Sequence, residues 1–291
     1  MSAETKTCKP PQSDTRKPGY TVPPGACDAH CHIFGPGDKF PYADGRSYTP
    51  PDAPVERFRA MEAILGFERA VIVQAGCHGA DNRAMLDAIA SSGGRYRGVA
   101  MVNDDFTDDD LKALDEGGVR GVRFSFARHL GRTPDFDAVQ RTVDRIGPMG
   151  WHLVLYLEPE DIVEYADIIG NYGLPVVNDH MGRCKTGDGL DQEAFQVLLE
   201  LVGRPDFWVK ISGAERNSTN GPPYTDAVPF AQALVVAAPD RILWGTDWPH
   251  PNTEGPMPND GDLVDLLALH VPDESVRNRI LVDNPARLYG F

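Results

Sequence analysis

Residues 26–34 read ACDAHCHIF, a short apolar run carrying two histidines on alternate positions and ending just before Gly35-Pro36. Alternate side chains of a strand share a face, so His30 and His32 point one way and Cys31 the other. Seven further runs follow: RAVIVQA (69–75), YRGVAMV (96–102), VRGVRFSF (119–126), WHLVLYLE (151–158), LPVVNDH (174–180), FWVKIS (207–212) and RILWGTDWPH (241–250). Most are continuously apolar and rich in β-branched or aromatic residues, the pattern of strands buried on both faces. Between them lie helical patterns such as VERFRAMEAILG, NRAMLDAIASSG, DDLKALDEGG and DQEAFQVLLELVG, several closed by glycine. DESVRNRILVDNPARLYG adds a last helical stretch with Asn-Pro as its expected breaker.

Eight strands, each followed by helix or loop, imply a distorted (β/α)8 TIM barrel. A doubly wound sheet is the alternative, but no glycine-rich phosphate loop follows the first strand. The opening MSAETKTCKPPQSDTRKPGYTVPPG is polar and broken by prolines, so residues 1–25 read as an extended arm and 26–291 as one barrel domain.

A length of 291 residues with 41% hydrophobic and 24% charged side chains suits a globular chain with a large core. The net charge of −15 argues against nucleic acid and anionic membranes as partners, while a few arginines in a pocket could still bind a small anion. The cysteines Cys8, Cys27, Cys31, Cys77 and Cys184 form no CxxC pair, which fits a reducing cytoplasm. No apolar run approaches the roughly 20 residues of a membrane span, and no signal-peptide core is present. A monomer or a small homo-oligomer is expected.

Catalytic groups of such barrels sit at the C-terminal strand ends. Those ends supply His30 and His32, then His78, then Arg123 with Arg128 and His129 beyond it. Tyr156 and Glu158 follow from the fifth strand, Asp179-His180 from the sixth, and Asp247 from the eighth. Taken singly, each has a structural explanation: Asp247 could cap a helix, and His180 could be a packed histidine. His152, at the start of its strand, is expected in the barrel bottom or helix layer, and His270 in a structural helix. Joint placement at one mouth is what points to chemistry.

Together, DAHCHIFGP, VIVQAGCHG, GVRFSF, DHMGR and WGTDWPHP resemble the 2-pyrone-4,6-dicarboxylate hydrolases of the amidohydrolase superfamily over nearly the whole chain after the arm. The resemblance implies hydrolysis of a lactone to 4-oxalomesaconate in the breakdown of lignin-derived aromatics. It implies Asp247 as general base, with His30, His32 and His180 polarising the carbonyl. It also implies substrate binding by Arg123 and Arg216, whose guanidinium forks suit carboxylates, and by Tyr48 and Tyr156.

Many relatives use such histidines for a divalent metal. If one binds here, zinc or manganese on His30, His32, His180 and Asp247 is the expected set. The fifth strand ends in LYLEP, without the His or Lys that ligates in many relatives, so no metal is expected to be required. Glu158 is expected to be a solvated loop carboxylate. The chain departs from the pattern at Gly76, where a serine is expected, and at ARHL (127–130), where a Lys-Arg pair is expected. Arg128, His129 and His78 are therefore expected near a substrate anion that could differ, with sulfonate replacing carboxylate as in 4-sulfomuconolactone hydrolases. A lactone isomerase and a metal-dependent decarboxylase are the competing activities.

Overall fold

The computed structural model describes residues 5–126 and 135–291. Each apolar run contributes one barrel strand: β1 Cys27–Cys31, β2 Arg69–Val73, β3 Tyr96–Ala100, β4 Val119–Ser125, β5 His152–Tyr156, β6 Val176–Asn178, β7 Phe207–Lys210 and β8 Ile242–Leu243. They pair in parallel in chain order. The ring closes where Ala29 N donates to Trp244 O at 2.9 Å and Asp247 N donates to His30 O at 2.8 Å. The expected (β/α)8 barrel is therefore present, nearly closed, with a last strand shorter than its apolar run.

β1 carries an irregularity that no period-two pattern reveals. Cys27 lies opposite Arg69 and Asp28 opposite Ala70, but Cys31 lies opposite Ile72. Three steps on β1 therefore match two on β2, which is a bulge with one extra residue. Before it, Cys27 and Ala29 join an inner cluster with Val71, Val99, Val154 and Val177. After it, Cys31 packs with Ile72 in the outer cluster. The bulge thus turns His30 and His32 towards the barrel axis, and an unbroken strand would have turned them to the helices.

Helices fill the intervals: α1 Val55–Leu65, α2 Arg83–Ala90, α3 Asp108–Glu116, α4 Phe136–Ile146, α5 Pro159–Ile169, α6 Glu193–Val202, the single turn α7 Ala214–Asn217, α8 Val228–Ala237 and α9 Asp260–His270. α3 shows how local sequence sets such an element. Thr107 accepts from Asp110 N while Asp110 bonds back to Thr107 N, and three aspartates in the first turn complement the helix dipole. Leu111 and Leu114 then bury on one face. Near the C-terminus, Asn284-Pro285 does not break the chain as expected. Pro285 sits in the first turn of a helix over Asn284–Tyr289, where a missing N–H costs nothing.

Residues 5–25 lie across the barrel. Lys6–Thr7 pair in parallel with Tyr48–Thr49, and Arg16 ion-pairs with Asp262 and Asp265 on α9. The five cysteines are buried and free, and no helix among the described residues is long and apolar enough to cross a membrane.

The β8–β1 seam needs a residue without a side chain. A Cβ on Gly245 would lie 2.4 Å from His30 N and 2.7 Å from His30 Cβ, an overlap with backbone that cannot swing aside. Gly245→Ala should therefore destabilise the fold by about 1–3 kcal/mol or more, the range for overpacked cores. Denaturant unfolding checks this, and an unchanged midpoint would contradict the seam.

Candidate active site

The chain path that brings Asp247 and His180 to the mouth is unusual at both residues. Asp247 has φ 64° and His180 has φ 53°, followed by Met181 and Arg183 at φ 51° and 55°. Non-glycine residues in the left-handed region cost energy and persist only where surroundings enforce them. Space is the second constraint: a Cβ on Gly213 would lie 2.8 Å from His180 Nδ1, so the chain after β7 must carry glycine to admit this ring.

One carboxylate oxygen is the focus. Asp247 Oδ1 lies 3.3 Å from His32 Nε2, 3.5 Å from His30 Nε2 and 3.8 Å from His180 Nε2. All four residues are buried, and neither Asp247 Oδ1 nor His30 Nε2 has a hydrogen-bond partner among the described residues. The other oxygen, Oδ2, accepts from Arg216 Nε at 2.6 Å and is also touched by Arg216 Nη2. Burial pushes the Asp247 carboxyl up, but Arg216 and the neighbouring histidines outweigh it and hold the group well below the usual carboxylate range.

Each ring is held from its far side. His32 Nδ1 donates to Val73 O at 2.7 Å, since a carbonyl can only accept. His180 Nδ1 meets Ser212 Oγ at 3.0 Å. His30 Nδ1 meets Lys210 Nζ at 3.0 Å and Asp179 Oδ1 at 3.3 Å, and Asp179 Oδ2 accepts from Arg123 Nε at 3.0 Å. Burial drives the His180 imidazole down to about 4, and burial with Lys210 beside it holds His30 well below the usual histidine range.

Behind Arg216 the chain of charges continues. Glu215 Oε1 lies 3.8 Å from Arg216 Nε and 3.5 Å from His250 Nδ1, and His250 Nε2 is 3.0 Å from Asp260 Oδ1. Burial works against the His250 charge, yet the two carboxylates raise it to about 10.

This group floors a cavity of about 580 Å³. Tyr48, Arg123, Tyr156 and Arg216 line it, as do His32, His180 and Asp247. Tyr156 lies between two guanidinium groups, Arg123 and Arg183, each 5.2 Å from its ring centre. Lys6 and Lys185 join the cationic rim. On a chain of net charge −15, this lining carries five cationic side chains against four carboxylates, Glu158, Glu215, Asp247 and Glu254.

His78 does not reach the cavity. Its Nε2 accepts from Gly35 N at 3.2 Å and its Nδ1 donates to Pro41 O at 3.1 Å, so both nitrogens tie loops together, where contact with a substrate was expected. Glu158 is not solvated either: it is largely buried and paired with Arg183 Nη1 at 2.6 Å. Arg128 and His129 lie outside the described residues. His152 opens β5 at the far end of the barrel against Tyr289, and His270 is buried in α9, as expected for structural histidines.

Sequence reasoning did not single out Lys210, Ser212, Glu215, Arg183 or His250. Lys210 had a visible signal, a lysine inside the apolar run FWVKIS. Glu215 stands beside Arg216 and His250 three residues after Asp247, but nothing in the sequence shows that the turns at α7 and after β8 bring the two together. His30, His180 and Asp247 also place one donor atom each within 4.8 Å of one another, a possible His/Asp metal cluster.

The family model described as amidohydrolase matches residues 27–291. A 2-pyrone-4,6-dicarboxylate hydrolase of Comamonas testosteroni is 47% identical over 94% of this chain and 92% of its own. A 4-sulfomuconolactone hydrolase of Rhizobium radiobacter is 41% identical over 97% and 96%. A solved structure from Pseudomonas putida, assigned as a 2-pyrone-4,6-dicarboxylic acid hydrolase, superposes with TM-score 0.80 at 33% identity, covering 92% of this chain and 98% of that one.

The His180 environment makes a direct prediction. The unfolded chain binds its proton below about pH 6.5, whereas the folded protein binds it only near 4, so this group costs the fold stability as pH falls across that interval. Histidine-resolved NMR should show a neutral His180 ring from pH 7 down to 5. A titration midpoint near 6.5 would contradict the assigned burial.

Proposed function

This chain belongs to the amidohydrolase family, and from that premise we propose that it hydrolyses an anionic lactone, with 2-pyrone-4,6-dicarboxylate as substrate and 4-oxalomesaconate as product. The observation that carries this reading is the Asp247 carboxylate, ringed by three imidazole nitrogens at the floor of a cation-rimmed cavity. Residues 26–291 form the catalytic unit on this reading, with 1–25 as an arm.

Ester hydrolysis needs an oriented water, a base, and donors where the carbonyl oxygen becomes negative. Asp247 Oδ1 accepts a proton from water as its oxygen adds to the lactone carbonyl. The imidazoles of His30, His32 and His180 face the carbonyl oxygen on this reading and polarise the bond as negative charge develops there. The tetrahedral intermediate collapses with cleavage of the ring C–O bond, and the proton held by Asp247 passes to the departing oxygen. Arg123 and Arg216 hold the substrate carboxylates, with Tyr48 and Tyr156 against the ring.

The same four residues, His30, His32, His180 and Asp247, would be the ligands of a zinc or manganese ion, which would supply a more acidic bound water. The charge already present disfavours one: Arg216 is paired with Asp247, and Lys210 abuts His30. We therefore read the reaction as metal-independent.

A 4-sulfomuconolactone is the second reading. Gly76 lines the cavity where a serine was expected, removing a hydroxyl and leaving room beside one anion subsite. A spectrophotometric panel of both lactones on metal-analysed, chelator-treated enzyme decides between them. Turnover of the dicarboxylate should exceed that of the sulfonate and survive chelation. Preference for the sulfonate reverses the substrate order, and loss on chelation with recovery by zinc refutes the metal-free reading.

Asp247→Asn should lower kcat by about 10²–10⁴-fold, the range for a lost general base, while calorimetry still detects ligand binding. Near-normal turnover in that variant would remove Asp247 as the base.

A further inference from the structure

The two histidines of the His-x-His pair are held from behind by opposite chemistry. His32 Nδ1 faces a carbonyl, which only accepts, so Nδ1 carries a proton. His30 Nδ1 instead faces the ammonium of Lys210 at 3.0 Å. An ammonium offers three donors and no lone pair. A proton on His30 Nδ1 would point at those hydrogens, so the contact is favourable only when Nδ1 is the acceptor.

We propose that Lys210 is the positioning residue that sets the His30 tautomer, donating to Nδ1 so that the ring proton sits on Nε2 and aims into the active site. Lys210 is fully buried at the end of β7, and Asp179 Oδ1 at 3.2 Å balances its charge, while Arg123 engages the other oxygen of Asp179. His30 therefore enters the site as a hydrogen-bond donor. No proton is gained or lost in this assignment, since the ring is neutral either way. It also separates two uses of the fold. With the proton on Nε2, His30 can donate to a developing oxyanion but cannot offer that nitrogen to a metal. Without the ammonium, Nδ1 is free to donate to Asp179 Oδ1, 3.3 Å away, and Nε2 becomes a ligand.

The catalytic half of this inference rests on the lactone-hydrolysis reading, and the tautomer does not. Long-range 1H–15N correlation of 15N-histidine-labelled enzyme, assigned with His30→Gln, should show His30 protonated at Nε2 in the wild type. A wild-type His30 protonated at Nδ1 overturns the proposal, whether or not any lactone is turned over. Lys210→Met should move the His30 proton to Nδ1, lower kcat about 10–100-fold, as for a lost outer-shell partner, with KM within twofold, and retain more zinc after dialysis at equal free zinc. Lys210→Gln, whose amide still donates, should restore the Nε2 tautomer and part of kcat. A folded Lys210→Met protein with the wild-type tautomer also overturns the proposal. If that variant does not fold, the wild-type and Lys210→Gln spectra carry the test.

Discussion

The seam between the last strand and the first is the constraint on which the rest of the molecule depends. Asp28 holds it from inside β1: its carboxylate accepts from His30 N, Thr246 N and the Thr246 hydroxyl at 3.1, 3.0 and 2.6 Å. Thr246 Oγ1 accepts in turn from Trp248 N. Burial pushes the Asp28 carboxyl up to about 7 against the pull of these donors. With Gly245 pressed on the His30 backbone, this one junction closes the barrel and brings the Asp247 carboxylate to His30 and His32. Fold closure and site assembly are thus one event, and damage to the seam costs both.

From the seam, charge alternates outward through the site. Arg123, Asp179 and Lys210 lie on one side of His30, and Arg216, Glu215, His250 and Asp260 on the far side of Asp247. Buried charges are tolerable only when each is paired, and removing a single member leaves an uncompensated charge worth several kcal/mol. Such a network is a poor source of net stability but a good source of geometry. It places three imidazole nitrogens within 3.8 Å of one carboxylate oxygen, with little freedom to rearrange.

Much of this was legible in the sequence. The eight apolar runs fix strand number and parallel pairing, because strands buried on both faces leave no polar alternation. His30, His32, His180 and Asp247 are legible because barrel chemistry gathers at strand ends. What was hidden has physical causes. The β1 bulge is a property of register between two strands, and neither sequence alone encodes it. His78 stands next to a strand end, but its two ring nitrogens are claimed by Gly35 and Pro41, partners about 40 residues away. Lys210 was readable as an anomaly in an apolar run, yet its partner His30 is 180 positions distant.

On the proposed reading, Asp247, held well below the usual carboxylate range by Arg216 and the histidines, is a weak base, which constrains the substrate. Proton abstraction by such a group proceeds usefully only if the carbonyl is already strongly electrophilic and the departing oxygen is stable as an anion. An electron-poor conjugated lactone meets both conditions, and an ordinary alkyl ester meets neither. The anionic substituents add a second effect, because a substrate carboxylate that engages Arg216 competes directly with Asp247 for the same guanidinium. Each increment of charge drawn towards the ligand returns basicity to Asp247 at the moment water must be deprotonated. On that reading, the pairing that weakens Asp247 as a base is the one an anionic substrate relieves, and a neutral lactone of the same shape gains no such help.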